Sequence, residues 1–177
     1  MIKDILLLAV SLVLVGAALE DMAKLRISNI LALLVMGLYV PWVAVTGWES
    51  DIWHNGTLFL AVFALGSLLF AMRWMGGGDV KLMAACALWF DWHAALAWFV
   101  YVTVGGGVLA LLIIAGRRLV PQSVREGSSV AIFSAKGPIP YGVAIALGTI
   151  MALYVVGPNP SGVAHLPDFV RGLRQTP

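Results

Sequence analysis

The chain has 177 residues, 61% of them hydrophobic and 11% charged, with a net charge of +2 and a mean hydropathy of +0.95. Nearly uncharged runs of about 18 residues or more, enough to cross a hydrocarbon core of roughly 30 Å, recur along it, which excludes a soluble globular protein and leaves no length for a separate soluble domain. The single cysteine, Cys86, excludes an intrachain disulfide and a cysteine-cluster zinc site, and the basic residues of such short loops report membrane orientation, not nucleic acid binding.

Ile5 to Leu19 is apolar and follows Lys3. It resembles a signal peptide, but Glu20, Asp21 and Lys24 follow where small cleavage-site residues would stand, so it is read as a first transmembrane helix. The second run, Ile30 to Thr46, has Ser28 or Asn29 to cap its start. A polar loop with Glu49, Asp51 and His54 leads to the third run, Thr57 to Met72. Then comes Met75-Gly-Gly-Gly-Asp-Val-Lys81, the one place where a carboxylate, three consecutive glycines and a lysine sit between apolar runs. An ionisable side chain near membrane depth is costly unless paired or wetted, which makes Asp79 a functional candidate. Gly76, Gly77 and Gly78 allow positive φ and a close approach of another chain, such as a substrate peptide. The plainer reading is a turn in which Asp79 caps the next helix.

The fourth run, Val80 to Phe90, is about 11 residues, or roughly 16 Å at 1.5 Å per residue, half of a straight crossing. Either Asp91 and His93 snorkel to the far interface, or the Asp79 end lies in a wet recess below the surface. The fifth run, Ala94 to Ala115, contains Gly105, Gly106 and Gly107, read as sites of close helix packing. A loop from Arg117 to Lys136 follows, and the sixth run starts at Pro138-Ile-Pro140-Tyr141-Gly142 and ends at Val156. The expected organisation is an all-α polytopic protein of about six transmembrane helices, with residues 1–157 as the membrane domain and 158–177 as a loosely ordered tail.

Counting alternate loops, Lys24, Arg26, Arg73, Lys81, Arg117, Arg118, Arg125 and Lys136 fall on one side, against Lys3, Arg171 and Arg174 on the other. The richer side is expected to be cytoplasmic, with both termini outside. This places Asp21 and Asp79 at the cytoplasmic ends of different helices, where they can meet. Two carboxyl groups in one low-dielectric site repel as anions and tend to hold a single proton between them. The ionised member can then activate a water against a peptide carbonyl, while the protonated member hydrogen-bonds the developing oxyanion. Glu20 competes with Asp21, since adjacent helix residues point about 100° apart and one of them faces the partner; the residues alone do not choose. Lys81 does not share the helical face of Asp79 and is read as an interface anchor or as a charge tuning the field.

Gly76-Gly-Gly78-Asp79 with Val80-Lys81 resembles the Gly-x-Gly-Asp motif of the type IV prepilin peptidases, a membrane aspartyl protease family. Asp21-Met-Ala-Lys-Leu-Arg26-Ile27-Ser-Asn29 resembles the family's first aspartate segment, and Pro140-Tyr141-Gly142 its Pro-Tyr-Gly segment. The resemblance implies that Asp21 and Asp79 are catalytic, with Glu20 a neighbour, and that Gly76, Gly77, Gly78, Lys81, Arg26, Asn29, Lys136, Pro140, Tyr141 and Gly142 support the site. It implies a multi-pass protein of the inner membrane that cuts the leader of a prepilin or pseudopilin on the cytoplasmic side, just before the substrate's hydrophobic segment, in contact with lipid and with no metal or cofactor. Ser28 stands where the family usually has proline. Long members carry paired Cys-x-x-Cys motifs in a domain associated with N-methylation, so with one cysteine this chain resembles the short, protease-only form of tight-adherence (Flp-type) systems, without a methyltransferase domain. Signal-peptide-peptidase-like proteases share the glycine-aspartate motif but not the Asp-to-Ile-x-Asn spacing.

Two other classes fit parts of the pattern: a small ion-coupled transporter using Asp21 and Asp79, and a noncatalytic subunit of a pilus or secretion machine. A transport carboxylate belongs near midplane between repeats, and no internal repeat is evident. The seven tryptophans, among them Trp42, Trp48, Trp53, Trp89 and Trp92, are read as interfacial anchors. His54 and His93 fall in outer loops and His165 in the tail, away from Asp79.

Overall fold

The computed structural model describes residues 1–47, 52–119 and 140–158, and these are all-α. Six helices are present among them: α1 Ile2–Lys24, α2 Asn29–Thr46, α3 Ile52–Ala71, α4 Gly77–Ala87, α5 Trp92–Leu119 and α6 Tyr141–Val155. α1, α2, α3 and the Trp92–Leu112 part of α5 are long and apolar enough to cross a membrane. α4 has 11 residues and α6 has 15, short of the ~20 that a straight crossing takes.

The helix ends follow from local chemistry. α1 stops at Leu25, which takes a left-handed φ of 52° and bonds its N–H back to the Asp21 carbonyl at 2.8 Å. The chain then turns at Ser28, whose N–H donates to Glu20 Oε2 at 3.0 Å, while Glu20 Oε1 pairs with Lys24 at 3.0 Å. Ser28 in turn caps α2 by accepting from the Ile30 N–H at 3.3 Å, as its position before the apolar run predicts. α3 ends in a turn through Arg73 at φ 63°.

α1 packs between α2 and α6, α4 lies against α3, α2 and α6, and α5 packs on α6. The closest approach is at Gly148, where a Cβ would come within 2.4 Å of the Val102 Cα. Among the described residues, of the glycine triplet in α5 only Gly106 serves close packing, with Ala144 Cβ at 3.1 Å from where its own Cβ would stand; a Cβ on Gly105 or Gly107 would meet none of them within 4 Å. Gly148 does what the triplet was expected to do.

The structure corrects several expectations. α1 continues through Glu20 and Asp21 to Lys24, and α3 begins early enough to include His54, which is therefore helical. His93 sits in the first turn of α5, and Arg117 and Arg118 belong to that helix, not to the following loop. Residues 120–139 and the tail from 159, with Lys136, Arg125 and His165, lie outside the described residues, as do Trp48, Glu49 and Asp51. Asp91 does not snorkel: it is buried and caps α5, its Oδ1 accepting the Ala94 N–H at 2.7 Å. Trp42, Trp89 and Trp98 are core, not anchors. The Trp89 indole N–H donates to the Val35 carbonyl and that of Trp98 to Thr149 Oγ1, both at 3.0 Å. A satisfied indole loses its reason to stay at the wet interface. Cys86 is a buried free thiol, as expected of a packing residue.

Candidate active site

Asp21 closes the buried stripe of α1, which runs Val10, Leu14, Ala17, Ala18, Asp21 at helical spacing, on the helix that packs between α2 and α6. Glu20, one position round the helix, is engaged by the Ser28 turn and by Lys24. The stripe thus tells these two adjacent carboxylates apart, which the sequence does not, because the exposed face of α1, with Leu8, Leu12, Val15 and Leu19, is equally apolar. Asp21 Oδ2 accepts the Gly142 N–H at 2.8 Å. Pro140, the N-cap of α6, has no side-chain oxygen, so the helix takes its capping acceptor from α1. Gly142 must be glycine for this: a Cβ there would meet Asp21 Oδ2 at 2.8 Å and Ile27 Cδ1 at 2.6 Å.

Asp79 stands in the first turn of α4, three residues after the N-cap Gly76. The expectation of positive φ at the glycines fails: Gly76 has φ −71°, and Gly77 and Gly78 are already helical. Asp79 is therefore inside the helix rather than its cap. Close approach is the operative reason for the glycines. A Cβ on Gly76 would lie 2.7 Å from Asp79 Oδ2, one on Gly77 3.2 Å from the Phe70 ring, and one on Gly78 3.2 Å from the Ile27 Cβ and N. The room beside Gly78 is filled by the protein's own α1–α2 connection. Each carboxylate thus sits at a helix N-terminus, where the exposed N–H groups and the macrodipole favour negative charge.

The two aspartates, from α1 and α4, line one recess of about 710 Å³. Asp21 is 5% exposed and Asp79 half-buried. Leu25, Phe70, Trp74 and Met75 form its apolar side, with Arg73 and Tyr141 also lining it. A smaller hollow of about 340 Å³ reaches the same pair past Arg26, Ile27 and the three glycines. Lys81 and Asn29 are brought together, Lys81 Nζ donating to Asn29 Oδ1 at 2.9 Å, but in a neighbouring groove of about 300 Å³ with Phe59 and Phe63. Neither of them lines the aspartate recess or the smaller hollow. Leu25, Ile27, Phe70, Arg73, Trp74 and Met75 are not among the site residues expected from the sequence; Leu25 and Ile27 lie inside the first aspartate segment, Met75 opens the glycine stretch and Phe70, Arg73 and Trp74 precede it, and that nearness is the available signal. Among the described residues no three His, Cys, Asp or Glu side chains come together as a metal site.

A family model described as the type IV leader peptidase family matches residues 7–111. The match covers more than half of the chain, spans both aspartates and stops before α6. No curated protein and no solved structure matches the chain.

Proposed function

The chain belongs to the type IV leader peptidase family, and from that premise we propose that it is a membrane-embedded aspartic endopeptidase with Asp21 and Asp79 as its catalytic pair. The substrate is the leader junction of a prepilin-like protein, presented at the cytoplasmic face of the inner membrane, in a six-crossing arrangement with both termini outside. The observation that carries this reading is the convergence of two carboxylates from separate helices on one recess. Two anions in a partly apolar hollow repel, and one shared proton relieves the repulsion.

The pair then divides the work. The ionised carboxylate takes a proton from a water whose oxygen adds to the scissile carbonyl carbon. The protonated one hydrogen-bonds the carbonyl oxygen as it gains negative charge. Collapse of the tetrahedral species breaks the C–N bond, and a proton passes to the leaving amine. Gly142 fixes Asp21 through Oδ2. The apolar wall of Phe70, Trp74 and Met75 lowers the local dielectric and strengthens these interactions. A substrate whose apolar helix lies in the bilayer arrives with its leader junction already aligned, which reduces the entropy cost of the encounter. A Flp-type prepilin is the substrate to test first, because the chain resembles the short form of tight-adherence systems.

Co-expression with such a prepilin, read by gel mobility, is the test. Asp21→Asn and Asp79→Asn are expected to accumulate normally and leave the leader uncut, while Glu20→Gln still processes it. Normal cleavage by either aspartate variant would overturn the mechanism.

A further inference from the structure

Ile27, on the connection between α1 and α2, lies between the first turns of α4 and α6 and is 9% exposed. On one side its backbone and Cβ lie against Gly78, where an added Cβ would come within 3.2 Å of the Ile27 N and 3.3 Å of its O. On the other side Cδ1 lies against Gly142, 2.6 Å from where a Cβ would stand. Gly78 precedes Asp79, and Gly142 donates its N–H to Asp21. One residue therefore touches the first turn of α4, which carries Asp79, and that of α6, which holds Asp21 by a hydrogen bond. Its own backbone is not free to yield, because the next residue, Ser28, is tied to Glu20 through its N–H and caps α2 through its hydroxyl.

We propose that Ile27 is a positioning residue that sets the spacing between Asp21 and Asp79, acting as a shim between the first turns of α4 and α6. Close-packed interiors transmit small volume changes as displacements. Removing Cδ1 frees the first turn of α6 and with it the donor that holds Asp21 Oδ2, while the Cβ and backbone that seat α4 stay in place. The inference rests on the peptidase reading for its kinetic consequence and on packing alone for its structural one.

Two readouts on the purified full chain in nanodiscs keep these apart. Ile27→Val deletes Cδ1 and Ile27→Ala deletes all but Cβ. In cleavage of a Flp-type prepilin, Ile27→Ala is expected to lower kcat about 10- to 100-fold, the scale of an ångström-sized misplacement, with KM within about threefold, and Ile27→Val to fall between it and the wild type. In hydrogen–deuterium exchange, the peptide covering residues 140–143 is expected to exchange about tenfold faster in Ile27→Ala, as local opening becomes easier, while those covering residues 76–79, against which the Cβ and backbone of residue 27 remain, and Gly148 in α6 are unchanged. A wild type that cleaves nothing, with the local exchange difference intact, sinks the peptidase reading and leaves the shim standing. Unchanged exchange at residues 140–143 overturns the shim, as does an Ile27→Ala enzyme with wild-type kcat. Faster exchange at Gly148 as well would mean general unfolding and would also overturn it.

Discussion

α4 has a carboxylate at each end, and the two ends differ in kind. At its start Asp79 shares an open recess with Asp21. Beyond its end Asp91 is 1% exposed and wholly enclosed, with Oδ1 capping α5 and Oδ2 without a hydrogen-bond partner among the described residues. Around Asp91 the helix ends are stitched together by side chains of α3 and α5. Asn55 Nδ2 donates to the Leu88 carbonyl at 3.1 Å, and the Trp92 indole N–H donates to Thr57 Oγ1 at 3.0 Å. Burial of a carboxylate therefore does not by itself mark a site of chemistry. What distinguishes the Asp79 end is a second carboxylate from another helix and space beside the pair for a reacting group.

The largest expected effects break the pair. Asp21→Asn and Asp79→Asn should each lower cleavage about 10³-fold, within the range for losing a general acid or base, with accumulation unchanged on immunoblots. Asp91→Asn should cleave within about threefold of wild type, a shift worth under about 1 kcal/mol, because the amide oxygen still accepts the Ala94 N–H. Loss of activity in a stably accumulating Asp91→Asn would erase the distinction between the two ends.

Next come the glycines. Gly142→Ala puts a methyl group against Asp21 Oδ2 and Ile27 Cδ1, so cleavage should fall with a stability cost of about 1–3 kcal/mol from overpacking. Gly148→Ala should cost more, because the obstructing atoms belong to the Val102 backbone rather than to a flexible side-chain end. Gly105→Ala, whose added methyl meets none of the described residues within 4 Å, should instead gain up to about 1 kcal/mol of helix propensity. Thermal unfolding of the three variants in one detergent checks the order, and a stable Gly148→Ala would show that α5 and α6 can separate without loss.

Much of this architecture was legible in the residues. The apolar runs give the helices to within a few positions, and Asp79 stands out as a carboxylate between them. The cap of α2 is legible to within one residue, Ser28 or Asn29, because it depends only on near neighbours, and the structure uses Ser28. What was not legible depends on helices meeting. The buried place of Trp89 needs the Val35 carbonyl, 54 residues away, and that of Trp98 needs Thr149. The glycine motif was recognisable, but its reason was not: Gly78 yields to Ile27 and Gly142 to Asp21, contacts that only the assembled fold creates. Lys81, which the family resemblance places among the residues that support the site, has its ammonium bound to Asn29 in the adjoining groove, a pairing across 52 residues that the sequence does not display.

The smallest expected effect concerns backbone strain. Leu25 and Arg73 are the non-glycine residues with positive φ among the described residues, and both line the recess. A non-glycine residue held in the left-handed region costs of order 1 kcal/mol or more, and such strain persists where surrounding structure imposes it. Arg73→Gly removes the steric part of that cost but adds conformational freedom to the unfolded chain, so the two effects oppose. The side chain of Arg73 is exposed, and little packing is lost with it. The expected result is therefore a small net stabilisation, below about 1 kcal/mol, seen as a slightly higher midpoint in thermal unfolding. The Asp91 end has no left-handed non-glycine residue among the described residues, so no glycine substitution there should stabilise in the same way. A clear loss of stability in Arg73→Gly would mean that the guanidinium, not the turn, holds the end of α3 in place, and that the recess is walled by side-chain contacts rather than by an imposed backbone.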